Sequence, residues 1–168
     1  MKKIGVFYSF NSGKTAKVAE KLIDQLGKEN AVPIDVDQSW EKDYKLYDNL
    51  IFGVPTWFDG ELPTYWDELV PMLEDINFKS KRVALFGNGD QFKYSENFGD
   101  AVGIMADIVS DMGANLVGLT STVGYKFEAS RALRDDKFLG LLLDFENQQK
   151  DNNQRIEHWA TQLAGEFK

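Results

Sequence analysis

The sequence predicts a three-layer α/β sandwich: a five-stranded parallel sheet with helices on both faces. Three observations carry that expectation. Short apolar runs alternate with amphipathic helical patterns along the chain, as they do when crossover helices connect parallel strands. Most of the runs are nearly all apolar, which suits strands buried on both sides. The polar, glycine-bearing and aromatic loops follow the carboxyl ends of these runs, where open α/β sheets hold their ligands.

Lys3–Tyr8 is the first strand. It breaks into Ser9-Phe10-Asn11-Ser12-Gly13-Lys14-Thr15, and a helical pattern follows with Ala16, Ala19, Leu22, Ile23 and Leu26 at spacings of three and four. The first amides of a helix have no partner within it, and its dipole favours negative charge there. With side-chain donors from Ser9, Asn11, Ser12 and Thr15, the turn suits a phosphate. The ending Gly13-Lys14-Thr15 mimics the nucleoside-triphosphate P-loop, but that motif needs a glycine where Tyr8 stands. Taken alone, the loop is equally a turn that caps a helix.

The second strand is Ala31–Val36, and Asp37–Leu46 reads as a short helix. The third strand, Asn49–Val54, opens into Pro55-Thr56-Trp57-Phe58-Asp59-Gly60. A Trp-Phe pair on a loop either folds back over the core edge or awaits a ligand. A helix then starts at Pro63 with Trp66, Leu69, Val70 and Leu73 on one face, and Pro71 should kink or shorten it. The fourth strand, Arg82–Gly87, leads into Gly87-Asn88-Gly89-Asp90-Gln91-Phe92-Lys93-Tyr94. Its glycines let backbone approach a flat ligand, and Tyr94 supplies a ring.

The next helical pattern runs from Phe98 to Met112 and ends at Gly113. Two apolar runs, Leu116–Leu119 and Leu139–Leu143, are separated by the aperiodic stretch Thr120–Phe138. Compact domains rarely tolerate so long a loop without a reason, so it is expected to split the fifth strand. The final helix carries Ile156, Trp159, Ala160, Leu163 and Phe167.

With 168 residues, the chain is expected to form one domain over 1–168. No apolar run approaches the roughly 20 residues of a membrane helix, and MKKIGVFYS is too short for a signal peptide. A cytoplasmic protein is expected. There is no Cys, and His158 is the sole His. That composition excludes iron–sulfur clusters, thiol redox chemistry and Cys/His zinc sites. The net charge of −8, from 19 Lys+Arg against 27 Asp+Glu, repels nucleic acid and attracts basic protein surfaces.

A phosphate loop flanked by two aromatic loops at adjacent strand ends describes a flat heterocycle bearing one phosphate. At this point the chain resembles the flavodoxin family, and within it the long-chain branch. The resemblance spans essentially the whole chain. It rests on Ser9–Thr15, Pro55-Thr56-Trp57, Gly60-Glu61-Leu62, Gly87–Asp90, Tyr94, Asn97-Phe98, Gly124-Tyr125, Lys137-Phe138 and Gly140-Leu141.

The resemblance implies a sheet of order 2-1-3-4-5 and a noncovalently bound FMN. It implies that Ser9, Phe10, Asn11, Ser12, Gly13, Lys14 and Thr15 surround the phosphate. Pro55, Thr56, Trp57, Phe58, Asp59 and Gly60 would form one ring loop. Asn88, Gly89, Asp90, Tyr94 and Asn97 would form the other, with Trp57 and Tyr94 sandwiching the ring and Glu146 near the ribityl chain. Phe10 departs from the family, which usually has Thr there as a phosphate donor. In the family, the peptide between Phe58 and Asp59 can also turn its carbonyl towards the flavin N5, and non-glycine residues strain that turn.

The implied function is that of a low-potential one-electron carrier and not an enzyme. It would be a monomer shuttling electrons from a flavodoxin/ferredoxin reductase to acceptor enzymes that dock through basic surfaces. The alternative is an FMN-dependent NAD(P)H-quinone-type oxidoreductase on the same fold.

Overall fold

The computed structural model describes residues 1–168. Strand β1 (Ile4–Tyr8) lies between β2 (Ala31–Asp35) and β3 (Asn49–Gly53), and β4 (Arg82–Asn88) lies beyond β3; every pairing is parallel. The order is therefore 2-1-3-4-5, as expected. Neighbouring side chains of a strand point to opposite faces, and here both faces are covered. Ile4, Val6, Ile51, Ala84 and Phe86 join a core with helices α1 (Lys14–Leu26) and α6 (Gln149–Glu166). Phe7, Leu50, Phe52, Val83 and Leu85 join the opposite core, together with Trp66, Phe98, Val102 and Met105.

The fifth position is shared, as the aperiodic stretch suggested. Asn115–Val117 (β5) runs along Arg82–Ala84, and Leu141–Leu143 (β9) runs along Phe86–Asn88. The intervening stretch is more ordered than its composition implied. Thr120–Ser121 (β6), Leu133–Arg134 (β7) and Lys137–Phe138 (β8) make a small antiparallel sheet with β8 central. Phe138 buries its ring against Phe98, Tyr125 and Phe127, so the excursion's aromatic rings extend the core on that face of the sheet.

Three elements differ from expectation in ways that have local causes. The helix predicted from Phe98 (α5) begins at Asp100 and ends at Asp111, because Gly99 takes φ +68°, outside the helical region. Phe98 instead fills the core just ahead of that helix, fully buried. The pattern from Pro63 divides into α3 (Thr64–Asp67) and α4 (Val70–Glu74), and Pro71 falls in the first turn of α4, where its missing N–H is harmless. Between β2 and β3, the helix is confined to Glu41–Lys45 (α2), after a 3₁₀ turn at Val36–Gln38. That turn places Asp37 beside the end of β1, as described below.

Candidate cofactor site

The phosphate-loop candidate leaves β1 and enters α1 with Gly13 as its last non-helical residue, at φ 59° and ψ −103°. No side chain caps this helix start, so its leading amides remain available to an anion. The loop is internally braced. Ser12 Oγ donates to the Ser9 carbonyl at 2.5 Å, and Thr15 Oγ1 donates to Asn88 Oδ1 at 3.0 Å. The second bond ties the loop to the end of β4.

The 3₁₀ turn after β2 brings in carboxylates that the sequence did not single out. Ser9, almost wholly buried, donates its hydroxyl to Asp37 Oδ2 at 2.7 Å. The Phe10 amide donates to Asp35 Oδ1 at 3.2 Å. The Phe10 ring packs on Tyr8 at 5.0 Å, half exposed. A cavity of about 570 Å³ opens here. Ser9, Asn11, Ser12, Lys14 and Thr15 line one side, and Asn88, Pro55, Thr56, Trp57, Asp37 and Tyr65 line the rest.

A second cavity, of about 370 Å³, adjoins it, with Thr56 and Trp57 in the walls of both. Its walls are Phe58, Asp59 and Gly60 on one loop and Gly89, Asp90, Tyr94, Asn97 and Phe98 on the other. Trp57 and Tyr94 remain about half exposed, and Phe58 is 83% exposed. Trp57 is steadied by an edge-on contact with Tyr65 at 5.7 Å. Its strand-like pairing with Glu61 closes the Phe58–Gly60 turn, with Trp57 N donating to Glu61 O at 2.9 Å and Glu61 N returning the bond at 2.8 Å.

That turn holds Asp59 at φ 52° and ψ 29°, a left-handed conformation that is uncommon outside glycine. Gly60 follows at φ 85°. A Cβ on Gly60 would sit 2.6 Å from Asp100 Oδ2, so glycine is required there twice over. By contrast, Gly87 does not face the ring cavity. Its missing Cβ makes room for the Val54 carbonyl, which would lie 2.5 Å away. That glycine serves strand packing and not the approach of a ligand.

The Asp90 loop is held from behind by Asp144, which is fully buried and which the sequence reading passed over. Asp144 accepts from the amide and side chain of Gln91 at 3.1 and 2.8 Å, and from the Glu146 and Asn147 amides at 3.0 Å each. Asp90 itself accepts from the amides of Phe92 and Lys93 and from Asn147 Nδ2. Burial would push the Asp90 carboxyl up. The bonds from Lys93, Asn147 and Phe92, with the Lys93 charge, more than reverse this and hold it below the ordinary carboxylate range.

Most of the predicted site residues therefore converge on two adjacent cavities. Phe10, Gly13 and Glu146 line neither of them. Glu146 turns to Lys14, 2.5 Å away, and lines a separate depression between α1 and α6. Asp37, Tyr65 and Asp144 are the additions. A lone carboxylate directly after the apolar run Leu141-Leu142-Leu143 was a visible signal for Asp144.

Together the two cavities suit a phosphorylated flat heterocycle. The polar end holds a buried hydroxyl beside an uncapped helix start, and the other end leaves two large rings part-exposed across a cavity. The model of the family described as Flavodoxin matches residues 6–159. The chain belongs to the flavodoxin family.

Flavodoxin relatives align over nearly the full chain. A Nostoc flavodoxin is 46% identical over 166 residues, 99% of this chain and 98% of that protein. Escherichia coli flavodoxin 1 is 43% identical over 97% of this chain and 93% of its own. The crystal structure of Fusobacterium nucleatum flavodoxin bound to flavin mononucleotide superposes with a TM-score of 0.94 at 36% identity, covering both chains completely. As a flavodoxin, the chain is an FMN-based electron-transfer flavoprotein and not an enzyme with its own substrate. Membership does not favour the quinone-reductase alternative.

Proposed function

We propose that this flavodoxin is a monomeric, cytoplasmic, low-potential one-electron carrier of the long-chain type, acting as one domain over residues 1–168. The observation that carries this reading is that the two cavities are adjacent and share Thr56 and Trp57 in their walls. In it, Ser9–Thr15 with Asn88 hold the phosphate. Trp57 and Tyr94 flank the ring, and Asp59, Gly60, Gly89, Asp90 and Asn97 meet its edges. The split fifth strand and the Thr120–Phe138 sheet support the long-chain assignment.

When bound, FMN supplies one-electron chemistry; the protein sets where charge is tolerated. Asp59 and Asp90 line the ring cavity, and Glu61 closes the adjacent turn. Negative charge added there meets Coulomb repulsion in partly desolvated surroundings, which lowers the potential of the step that adds it. Thr56 is a positioning residue. Its hydroxyl accepts from the Ala101 amide at 3.1 Å and fixes the ring loop to the start of α5. Phe58, exposed at the cavity mouth, and the net charge of −8 suit docking to basic surfaces of a reductase and of acceptor enzymes.

The test is a potentiometric titration of the purified protein, with the acid-released flavin identified. Expected are FMN and two separated one-electron steps, the second below that of free FMN. There should be no sustained NAD(P)H–quinone turnover without an added reductase. A single two-electron step would overturn the low-potential carrier reading.

A further inference from the structure

The phosphate end of the cavity carries an unusual partner for an anion site: a carboxylate already bonded to one of its donors. Ser9 is 3% exposed, and its hydroxyl is taken by Asp37 Oδ2 at 2.7 Å. Asp37 itself lies on the exposed 3₁₀ turn after β2 and lines the cavity. Tyr65 lines the same cavity, and its hydroxyl is buried with no hydrogen-bond partner. A buried orphan hydroxyl is costly unless something satisfies it in another state. Helix α3, which carries Tyr65, packs against the turn that carries Asp37. Burial pushes the Tyr65 phenol up, and the Asp37 charge adds to this, so the phenol stays a donor at neutral pH.

We propose that Asp37 is an internal anion of the phosphate subsite: it holds the Ser9 hydroxyl while the loop is empty and passes to the Tyr65 phenol when a phosphate takes that hydroxyl. Asp37 is then a specificity-determining residue. It lessens the preference for a phosphorylated flavin over an unphosphorylated one, because its charge and its claim on Ser9 both oppose the phosphate. Tyr65 offsets part of that opposition by giving the displaced carboxylate a new donor. Tyr65 also packs edge-on against Trp57, so the exchange at the phosphate end is in contact with the ring end.

The inference rests on Ser9–Thr15 being the phosphate loop, and the test separates the two. The full-length protein, stripped of flavin, is titrated with FMN and with riboflavin, following flavin fluorescence. Asp37→Asn should tighten FMN by about tenfold, from removal of one like charge near the phosphate, and move riboflavin by less than about twofold. Asp37→Ala, which also removes the acceptor, should tighten FMN at least as much. Tyr65→Phe should weaken FMN several-fold in the natural background and have little effect with Asp37→Asn, a coupling that packing loss alone does not produce.

If the unaltered protein binds FMN and riboflavin equally, the phosphate-loop reading fails and takes the inference with it. If FMN is strongly preferred but Asp37→Asn leaves the preference unchanged, or the Tyr65→Phe effect is the same in both backgrounds, the inference alone fails.

Discussion

The two ends of the cavity are built by opposite means. The phosphate end uses small polar groups fixed by short hydrogen bonds: Ser12 to the Ser9 carbonyl, Thr15 to Asn88, Ser9 to Asp37. The ring end uses large aromatic surfaces, and Trp57, Phe58 and Tyr94 stay exposed around it. A polar end gains little from area and depends on each donor's direction. An aromatic end gains from area and tolerates small displacements. Recognition of the phosphate should therefore respond to single atoms, and recognition of the ring to whole side chains.

The largest expected effect follows from the ring end. Trp57→Ala should weaken FMN and riboflavin alike by about 2–3 kcal/mol, combining lost apolar burial with lost ring stacking. Fluorescence quenching on binding should diminish for both ligands. If FMN alone weakened, Trp57 would belong to the phosphate end and the contrast would break.

At the opposite end, Phe10→Thr should strengthen FMN by about 1–2 kcal/mol, through one hydroxyl bond to a charged group. Riboflavin should respond much less. The Phe10 ring lies half exposed on Tyr8, so its removal should cost the fold little. Isothermal titration with both ligands measures this, and an equal gain for both would trace the effect to packing.

A smaller effect concerns the left-handed Asp59 in the ring loop. Asp59→Ala should destabilise the protein by about 1 kcal/mol relative to Asp59→Gly, since alanine lacks the local hydrogen bonding that lets Asp adopt this conformation and glycine needs none. Urea denaturation of the two variants gives the difference. Equal stabilities would mean that the turn relaxes on substitution.

The smallest expected effect is a pH dependence at Asp90. Its folded-state carboxyl lies below the ordinary range, so the stability it contributes is fully present above the unfolded carboxylate range and is lost as pH falls through the lower, folded value. Asp90→Asn should flatten the acid limb of the stability profile by lowering stability at neutral pH. In acid, where the unaltered Asp90 is protonated, the two proteins should differ little. An acid limb identical to that of the unaltered protein would show that the Asp90 carboxylate does not supply this pH dependence.

Much of this molecule is readable from local pattern. The apolar runs at Ile4–Tyr8, Asn49–Gly53 and Arg82–Asn88 became strands buried on both faces, because such runs leave no polar face for water. The loops that end them carry the two cavities. Phe98 was misread as helical because helical spacing is also the spacing of residues that fill one core, and a left-handed Gly99 ends the register. Glu146 was placed near the cofactor by resemblance. In the structure its carboxylate pairs with Lys14, which also lines the phosphate-end cavity.

By itself, then, the sequence determined the alternation of elements, the faces they bury and the chemical character of each loop, since propensity, periodicity and turn chemistry act over a few neighbouring residues. Only the tertiary structure decided that Asp37 meets Ser9 across 28 positions, that Asp144 gathers Gln91 across 53, and that Tyr65 is left with an unpaired hydroxyl. The strand order 2-1-3-4-5 sets those meetings. Side chains far apart in the chain become partners when the strands that carry them lie about 5 Å apart in the sheet, and no local pattern records that distance.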